Sequence, residues 1–392
     1  MSKLAELIKE LCPDGVRKMQ LGDIGKVSMC KRILKSDTAT TGDVPFYKIG
    51  TFGKEADAFI SYEKYEEFRR KYSYPNKGDI LISAAGTIGR TVIYDGSPAY
   101  YQDSNIVWLA HDESIVLNKY LYYCYELQPW AVSSGGTISR LYNDNIMKAE
   151  IYVPPIPVQR EIIRIMDEAT ALYESLERKL NDELEARKKQ YEYYRDALLT
   201  FAGGQTDSSV CWLKLGECCN ISAGGDIPKG RYDKNKNEKF TVPIISNGIG
   251  DNAIYGYTDI AKINEDSVTV AARGTIGYAA YRDYPYYPII RLLSIVPKNT
   301  SVLNAKFLYY VLQGRKYNVP TTGIPQLTAP SIKKEVIPVP SLEEQQRIVD
   351  ILDRFDKLCN DLSEGLPAEI AARQKQYEYY RDKLLTFKEK KA

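Results

Sequence analysis

A chain of 392 residues has room for two or more domains, and its 44% hydrophobic and 27% charged content fits a water-soluble globular protein. A formal net charge of +2 excludes a uniformly basic nucleic-acid binder, so any phosphate-binding surface must be local. No apolar run reaches the roughly 20 residues of a membrane helix, and the start (Met1-Ser2-Lys3, then Leu4, Leu7, Ile8, Leu11) is amphipathic rather than a signal peptide. Seven cysteines without CxxC spacing are expected to be reduced thiols of a cytoplasmic protein.

In chain order, a short helix over Met1 to Leu11 is stopped by Pro13-Asp14-Gly15. A strand-rich stretch follows, with strands predicted at Met19–Val27, Phe46–Ile49, Asp79–Ser83, Thr91–Tyr94 and Ile106–Leu109 and helices at Tyr62–Lys71 and Asn118–Leu127. Val153 to Pro157 ends this part and launches a long helix. Ala202 to Ser209 reads as a flexible linker. The rest retraces the first half: Val210–Leu215 matches Val16–Leu21, Gly274-Thr275-Ile276-Gly277 matches Gly86-Thr87-Ile88-Gly89, and Gln346-Arg347 is aligned with Gln159-Arg160. Residues 203–340 carry 16 basic and 11 acidic side chains, whereas residues 1–155 carry 19 of each, so the second globular part is the more basic.

The strongest repeat is KQYEYYRDALLTF at Lys189–Phe201 against KQYEYYRDKLLTF at Lys375–Phe387, twelve of thirteen residues identical at an offset of 186. Backwards from it runs a helical seam: Ile162, Ile165, Ala169, Leu172, Leu176, Leu180, Leu184, Arg187, Tyr191, Tyr194, Leu198, Phe201. The second copy repeats it from Ile348 through Leu362 to Phe387. The mean step is about 3.55 residues, which predicts two rods of roughly 67 Å that bury their seams on each other, antiparallel. Glu364-Gly365-Leu366-Pro367 replaces Arg178-Lys179-Leu180-Asn181, so the second rod is expected to break near Gly365 while the first runs through.

Catalytic signatures are missing. His111 is the only histidine and no GxSxG elbow is present. Gly225 to Tyr232 has phosphate-loop glycine spacing but Arg231 and Tyr232 where Lys and Ser/Thr are needed. The chain reads as a binding scaffold, not an enzyme.

Two divergent half-domains, each followed by a helix ending in KQYEYYRD, together with the Gly365-Leu366-Pro367 break and the paired GTIG turns, resemble the DNA specificity (S) subunit of type I restriction–modification systems over essentially the whole chain. The resemblance implies an α+β fold: two similar strand-rich α/β target recognition domains, 1–155 and 203–340, and two long helices, 156–202 and 341–392, forming an antiparallel coiled coil with a pseudo-twofold internal repeat. It implies that each domain reads half of a bipartite double-stranded DNA site and that the coil sets the spacer and docks two methyltransferase (M) subunits. Restriction (R) subunits would join through the complex. No cofactor is expected in this chain; S-adenosylmethionine and ATP with magnesium are expected on the partners, and no membrane is involved.

Candidate DNA contacts are basic, amide and hydroxyl residues in turns: Lys31, Arg32, Thr87, Arg90 and Arg140, then Lys229, Arg231, Arg273, Thr275 and Gln326. Arg can grip guanine or phosphate, and Gln can read adenine. Each GTIG has a competing reading as a plain tight turn. Tyr193 and Tyr379 lie off the seam in both copies and are candidate partner contacts, with Arg195 and Arg381 as companions. Two other function classes stay open: a protein-assembly scaffold without sequence-specific DNA binding, kept by the near-neutral first domain, and an enzyme with an unrecognised site.

Overall fold

A computed structural model describes residues 2–132, 140–201, 209–319, 323–361 and 363–390. The chain divides into two compact units: Met1–Arg178 with Ala371–Ala392, and Lys179–Ile370. The expected linker over Ala202–Ser209 falls, except for Ser209, outside the described residues, as does the seam position Leu362.

In the first unit, helix α1 (Lys3–Leu11) is capped by Ser2, whose Oγ accepts from the Ala5 amide at 3.3 Å. The single strand expected over Met19–Val27 is two strands, β1 (Arg17–Gln20) and β2 (Lys26–Met29), with one helical turn, α2 (Leu21–Ile24), between them. Leu21 and Ile24 explain the difference. Three residues apart, they share a face in a helix but point to opposite faces in a strand, and both pack into the same core. The other elements are β3 (Val44–Tyr47), β4 (Phe59–Ile60), α3 (Tyr62–Lys71), β5 (Ile80–Ser83), β6 (Thr91–Ile93), β7 (Tyr100–Tyr101), β8 (Ile106–Ala110), α4 (Asn118–Glu126), α5 (Asn143–Met147), β9 (Glu150–Val153) and the 44-residue helix α6 (Ile156–Leu199).

Strands order as β2-β8-β5-β6 in one antiparallel sheet, β4-β3-β7 in a second, and β1-β9 as a pair. Alternation along β5 separates two cores. Ile80 and Ile82 face a cluster with Tyr120, Leu121 and the start of α6, while Leu81 faces Trp108, Tyr100 and Phe46. The first turns of α6 are held through that cluster, with Val158, Ile162 and Met166 buried. The C-terminal helix closes the same unit. Tyr377 stacks on Tyr173 (5.0 Å between ring centroids) and hydrogen-bonds Thr170 at 2.9 Å, and Phe387 meets Tyr152 at 5.8 Å. Partners ascend from 152 to 173 as the C-terminal residues descend from 387 to 377, so the two segments run in opposite directions. The tail then pairs with Val16, whose amide donates to Lys388 O at 2.9 Å and whose carbonyl accepts from Lys390 N at 3.0 Å.

The second unit repeats the plan with β10 (Cys211–Lys214), α7 (Leu215–Cys218), β11 (Cys219–Ala223), β12 (Tyr232–Asp233), β13 (Val242–Ile245), β14 (Ile254–Thr258), β15 (Ser267–Ala271), β16 (Ala279–Arg282), β17 (Tyr287–Pro288), β18 (Leu292–Pro297), α8 (Ala305–Leu312), α9 (Ala329–Ile332), β19 (Val336–Val339) and α10 (Leu342–Asn360). Its sheets, β11-β18-β15-β16 and β10-β19, match their counterparts strand for strand, and β12 is added at the edge of the third, β12-β14-β13-β17. Here Tyr194 stacks on Phe355 at 5.6 Å, and buried Cys359 lies beside Lys188 and Arg187, so α6 and α10 are also opposed in direction.

Internal bonds place the repeat one residue away from the Gln159/Gln346 alignment. Gln159 and Gln345 are both fully buried, and each ties the same three backbone groups: Leu117 N, Ile115 O and Pro154 O at 2.8–2.9 Å in one copy, Asn304 N, Val302 O and Pro340 O at 2.8 Å in the other. Likewise Tyr123 and Lys119 reach Asp167 as Tyr310 and Lys306 reach Asp353.

The expected break is present: α10 stops at Asn360 and α11 (Leu366–Leu384) begins after Gly365, whereas α6 continues through 178–181. A Cβ on Gly365 would lie 2.6–2.9 Å from the carbonyl oxygens of Lys357, Asp361 and Leu358, so only glycine closes this turn. Two details differ from the seam. Helix α6 ends at Leu199, before Phe201, which has a positive φ of 29°. Leu172 is 71% exposed, because Thr170 and Tyr173 take the inward positions there.

Candidate nucleic-acid interface

Both GTIG segments are tight turns after the central strand of a sheet, with left-handed backbone at each glycine: Gly86 and Gly89 at φ 65° and 78°, Gly274 and Gly277 at 72° and 88°. The Gly89 and Gly277 amides donate back to Ser83 O and Ala271 O at 2.9 and 3.0 Å. Behind the first turn, Gln128 donates through Nε2 to Gly89 O at 3.0 Å and fills the space a Cβ would need. The turns hold Thr87 and Thr275 outward on a fixed frame, both exposed.

In the first domain, Arg32 and Arg140 converge on one loop. Arg32 pairs with Asp103 (3.0 Å), and Arg140 donates to the Ser104 carbonyl (2.8 Å). Lys31 is exposed, its Nζ 5.4 Å from the centre of the Tyr72 ring. Arg90 is half-buried and donates to Phe52 O at 2.9 Å, bracing the turn.

In the second domain, Arg273, Thr275 and Gln326 come together through Asn247. Asn247 Nδ2 donates to the Arg273 carbonyl (2.8 Å), its own carbonyl accepts from Thr275 Oγ1 (3.2 Å), and the Arg273 guanidinium donates to Gln326 Oε1. Arg273 and Gln326 line an open cleft of about 490 Å³ with Arg291, Ile290 and Thr328. Lys229 and Arg231 lie apart from this cluster on the Gly225–Tyr232 loop. Arg231 pairs with Asp259 at 3.0 Å and holds that carboxyl below its usual range, and Lys229 is exposed.

Arg291 and Asn247 escaped the sequence reading. Arg291 had a signal, a lone cation interrupting the apolar run Pro288-Ile289-Ile290-Arg291-Leu292-Leu293; Asn247 had none. His111 is pinned between the carbonyls of Leu109 (3.1 Å) and Val116 (3.0 Å).

On the helices, Tyr193 and Tyr379 are 70% and 61% exposed, each edge-on to its neighbour, Tyr194 or Tyr380. Arg195 and Arg381 are only 16% exposed and face their own units. Arg381 is 3.7 Å from Glu126, while Arg195 pairs with Asp196 beside Gly314. Among the described residues no group of three or more His, Cys, Asp or Glu could hold a metal, and no helix is long and apolar enough to cross a membrane.

The family model for the type I restriction modification DNA specificity domain matches twice, at residues 13–186 and 212–372. A putative type I restriction enzyme specificity subunit of Haemophilus influenzae is 57% identical over 184 residues, 47% of this chain and 48% of that protein, so the chain spans about half the length of that relative. The EcoR124I/EcoR124II specificity subunit of Escherichia coli is 32% identical, covering 70% of this chain and 72% of its own. A chain from a solved type I R-M system shares the fold with a TM-score of 0.69 at 16% identity, over 95% of this chain and 97% of that one. With two matches that together cover well over half of its length, the chain belongs to the type I restriction modification DNA specificity family.

Proposed function

We propose that this chain is the non-catalytic DNA-reading subunit of a type I restriction–modification complex. Each globular domain reads one half of a bipartite duplex sequence. The long helices set the separation of the halves and dock two methyltransferase subunits, and restriction subunits join through the assembly. S-adenosylmethionine belongs on the methyltransferases and ATP with magnesium on the restriction subunits, where the covalent chemistry resides.

One observation carries the reading: the same strand order occurs twice, yet matched positions carry unlike side chains, Arg140 against Gln326 and Ala85 against Arg273, as the bonds from Leu141 N to Ala84 O and from Leu327 N to Ala272 O align them. A shared frame with unlike side chains suits two readers of unlike sequences. Each half-site is short, and a mismatched base pair costs about 1–3 kcal/mol. Joining two readers at a set distance multiplies their discrimination and makes the spacer part of the code. The exposed tyrosine pairs on α6 and α11 supply apolar contact area with polar tips, which suits partner docking.

Methylome sequencing of a host expressing the chain with its methyltransferase partner tests this. The expected result is one asymmetric motif in two parts around a fixed spacer. A complex that assembles and yet shows no sequence preference in methylation or in mobility shifts would leave the chain as an assembly scaffold.

A further inference from the structure

We infer that Arg273 reads a guanine in the half-site of the second domain and that Gln326 is its positioning residue, an inference that rests on the DNA-reading function proposed above. Both residues are anchored to the same strand end. Arg273 follows Ala272, whose amide donates to Arg291 O at 2.9 Å, and its own carbonyl accepts from Asn247 Nδ2 at 2.8 Å. Gln326 precedes buried Leu327, whose amide donates to Ala272 O at 2.9 Å. The two backbones are therefore fixed relative to each other before the side chains meet.

The side chains meet in one orientation. Gln326 Oε1 accepts from Arg273 Nε at 2.9 Å and from Nη2 at 2.5 Å, which occupies one edge of the guanidinium. The adjacent edge, made of Nη1 and the second N–H of Nη2, has no partner among the described residues. Two parallel donors in one plane match guanine O6 and N7. The same bonds remove Gln326 as an adenine reader, because adenine needs the amide carbonyl to accept from N6 and here that oxygen already accepts twice.

Fixing the guanidinium plane favours a base edge over a phosphate. A base offers its acceptors in one plane, so a preset plane adds discrimination, whereas phosphate oxygens can be met from many rotations. Arg291 stands in the same cleft, exposed and in left-handed backbone at φ 72°. The first domain lacks the arrangement. Arg140 occupies the place of Gln326, since the next residue, Leu141, donates to Ala84 O at 2.9 Å, and Ala85 stands where Arg273 does. The pair thus belongs to one half-site only.

The test uses the full chain assembled with its methyltransferase partner, and duplexes bearing every single base change in both half-sites. The wild type should prefer guanine at one position of one half-site. R273A should lower that preference by a factor on the order of 5 to 150, the range for a lost bidentate contact, while the other half-site keeps its profile and so reports an intact fold. Q326L should weaken the same preference, and Q326E, which keeps the acceptor oxygens, should restore it. Equal weakening on all sequences by R273A would make Arg273 a phosphate contact and overturn the inference, as would an unaltered profile. A wild-type profile flat at every position would overturn the DNA-reading function itself, and this assignment with it.

Discussion

Two residues show how single side chains hold each globular part to its helix. Gln159 and Gln345 are buried amides with three backbone partners each. Leucine at either position fits the volume but strands those partners, at about 1–3 kcal/mol for each buried group left unsatisfied. Gln159→Leu or Gln345→Leu should therefore lower the thermal melting temperature clearly, and an unchanged melt would count against the amide as the anchor. Glu161 supplies a pH-dependent tie. The Arg164 guanidinium (2.8 Å), with the Lys3 ammonium (2.9 Å), holds its carboxyl at about 2 against an ordinary 4.5. A depressed folded-state value means that the stabilisation is complete above pH 4.5 and is lost as pH falls toward 2. Glu161→Gln should flatten the acid limb of the stability profile between those limits and leave its shape at neutral pH unchanged, as urea melts across pH would report. Neither role follows from composition, since an amide or carboxylate in a helix's first turns is more often solvated.

At the scale of elements, the long helices are half sequence pattern and half tertiary accommodation. The spacing of apolar residues marked both rods, and Gly365 with Pro367 marked the break. The spacing missed the shift at Leu172, where the ring of Tyr173 meets Tyr377 and turns the inward face by one residue. The tyrosines of the repeated blocks behave differently from one another. Tyr191 is buried and bonded to Gln313, whereas Tyr193 and Tyr379 stay exposed. Since these two touch little of their own unit, Tyr193→Glu and Tyr379→Glu should leave the circular dichroism melt intact and reduce co-purification with the methyltransferase partner. Full recovery of the complex would remove them as docking residues. Arg195 and Arg381, packed against their own units, are poor probes for that purpose because changing them perturbs folding as well.

At the scale of the molecule, each compact unit combines one globular domain with a KQYEYYRD block that follows the other domain in sequence. Block 375–382 lies in the unit of residues 1–178, and block 189–196 in the unit of residues 179–370. The N-terminal domain is thus completed by the C-terminal tail at Val16 and by Phe387 on Tyr152. Exchanging residues 1–155 for the matching segment of a relative, with the helices kept, should change one half of the methylated motif and leave the other half and the spacer as they were. Motif sequencing of the exchanged complex reads this directly, and a change in both halves would refute independent reading. Such an exchange must keep Val16 and an aromatic at 152, or the C-terminal segment loses its seat.

The duplication, the break at Gly365, the extended positions of most strands and the family resemblance were legible in the sequence, because they are encoded in spacing, identity and turn chemistry along the chain. The helical turn at Leu21–Ile24, the Gln159–Gln345 equivalence and the partners of each arginine were decided by tertiary structure. Which of ten polar residues in turns stands free for a ligand depends on what the fold brings within about 3 Å of it. Local sequence sets neither the carbonyl of Phe52 beside Arg90 nor the amide of Gln326 beside Arg273, since those partners lie 38 and 53 residues away.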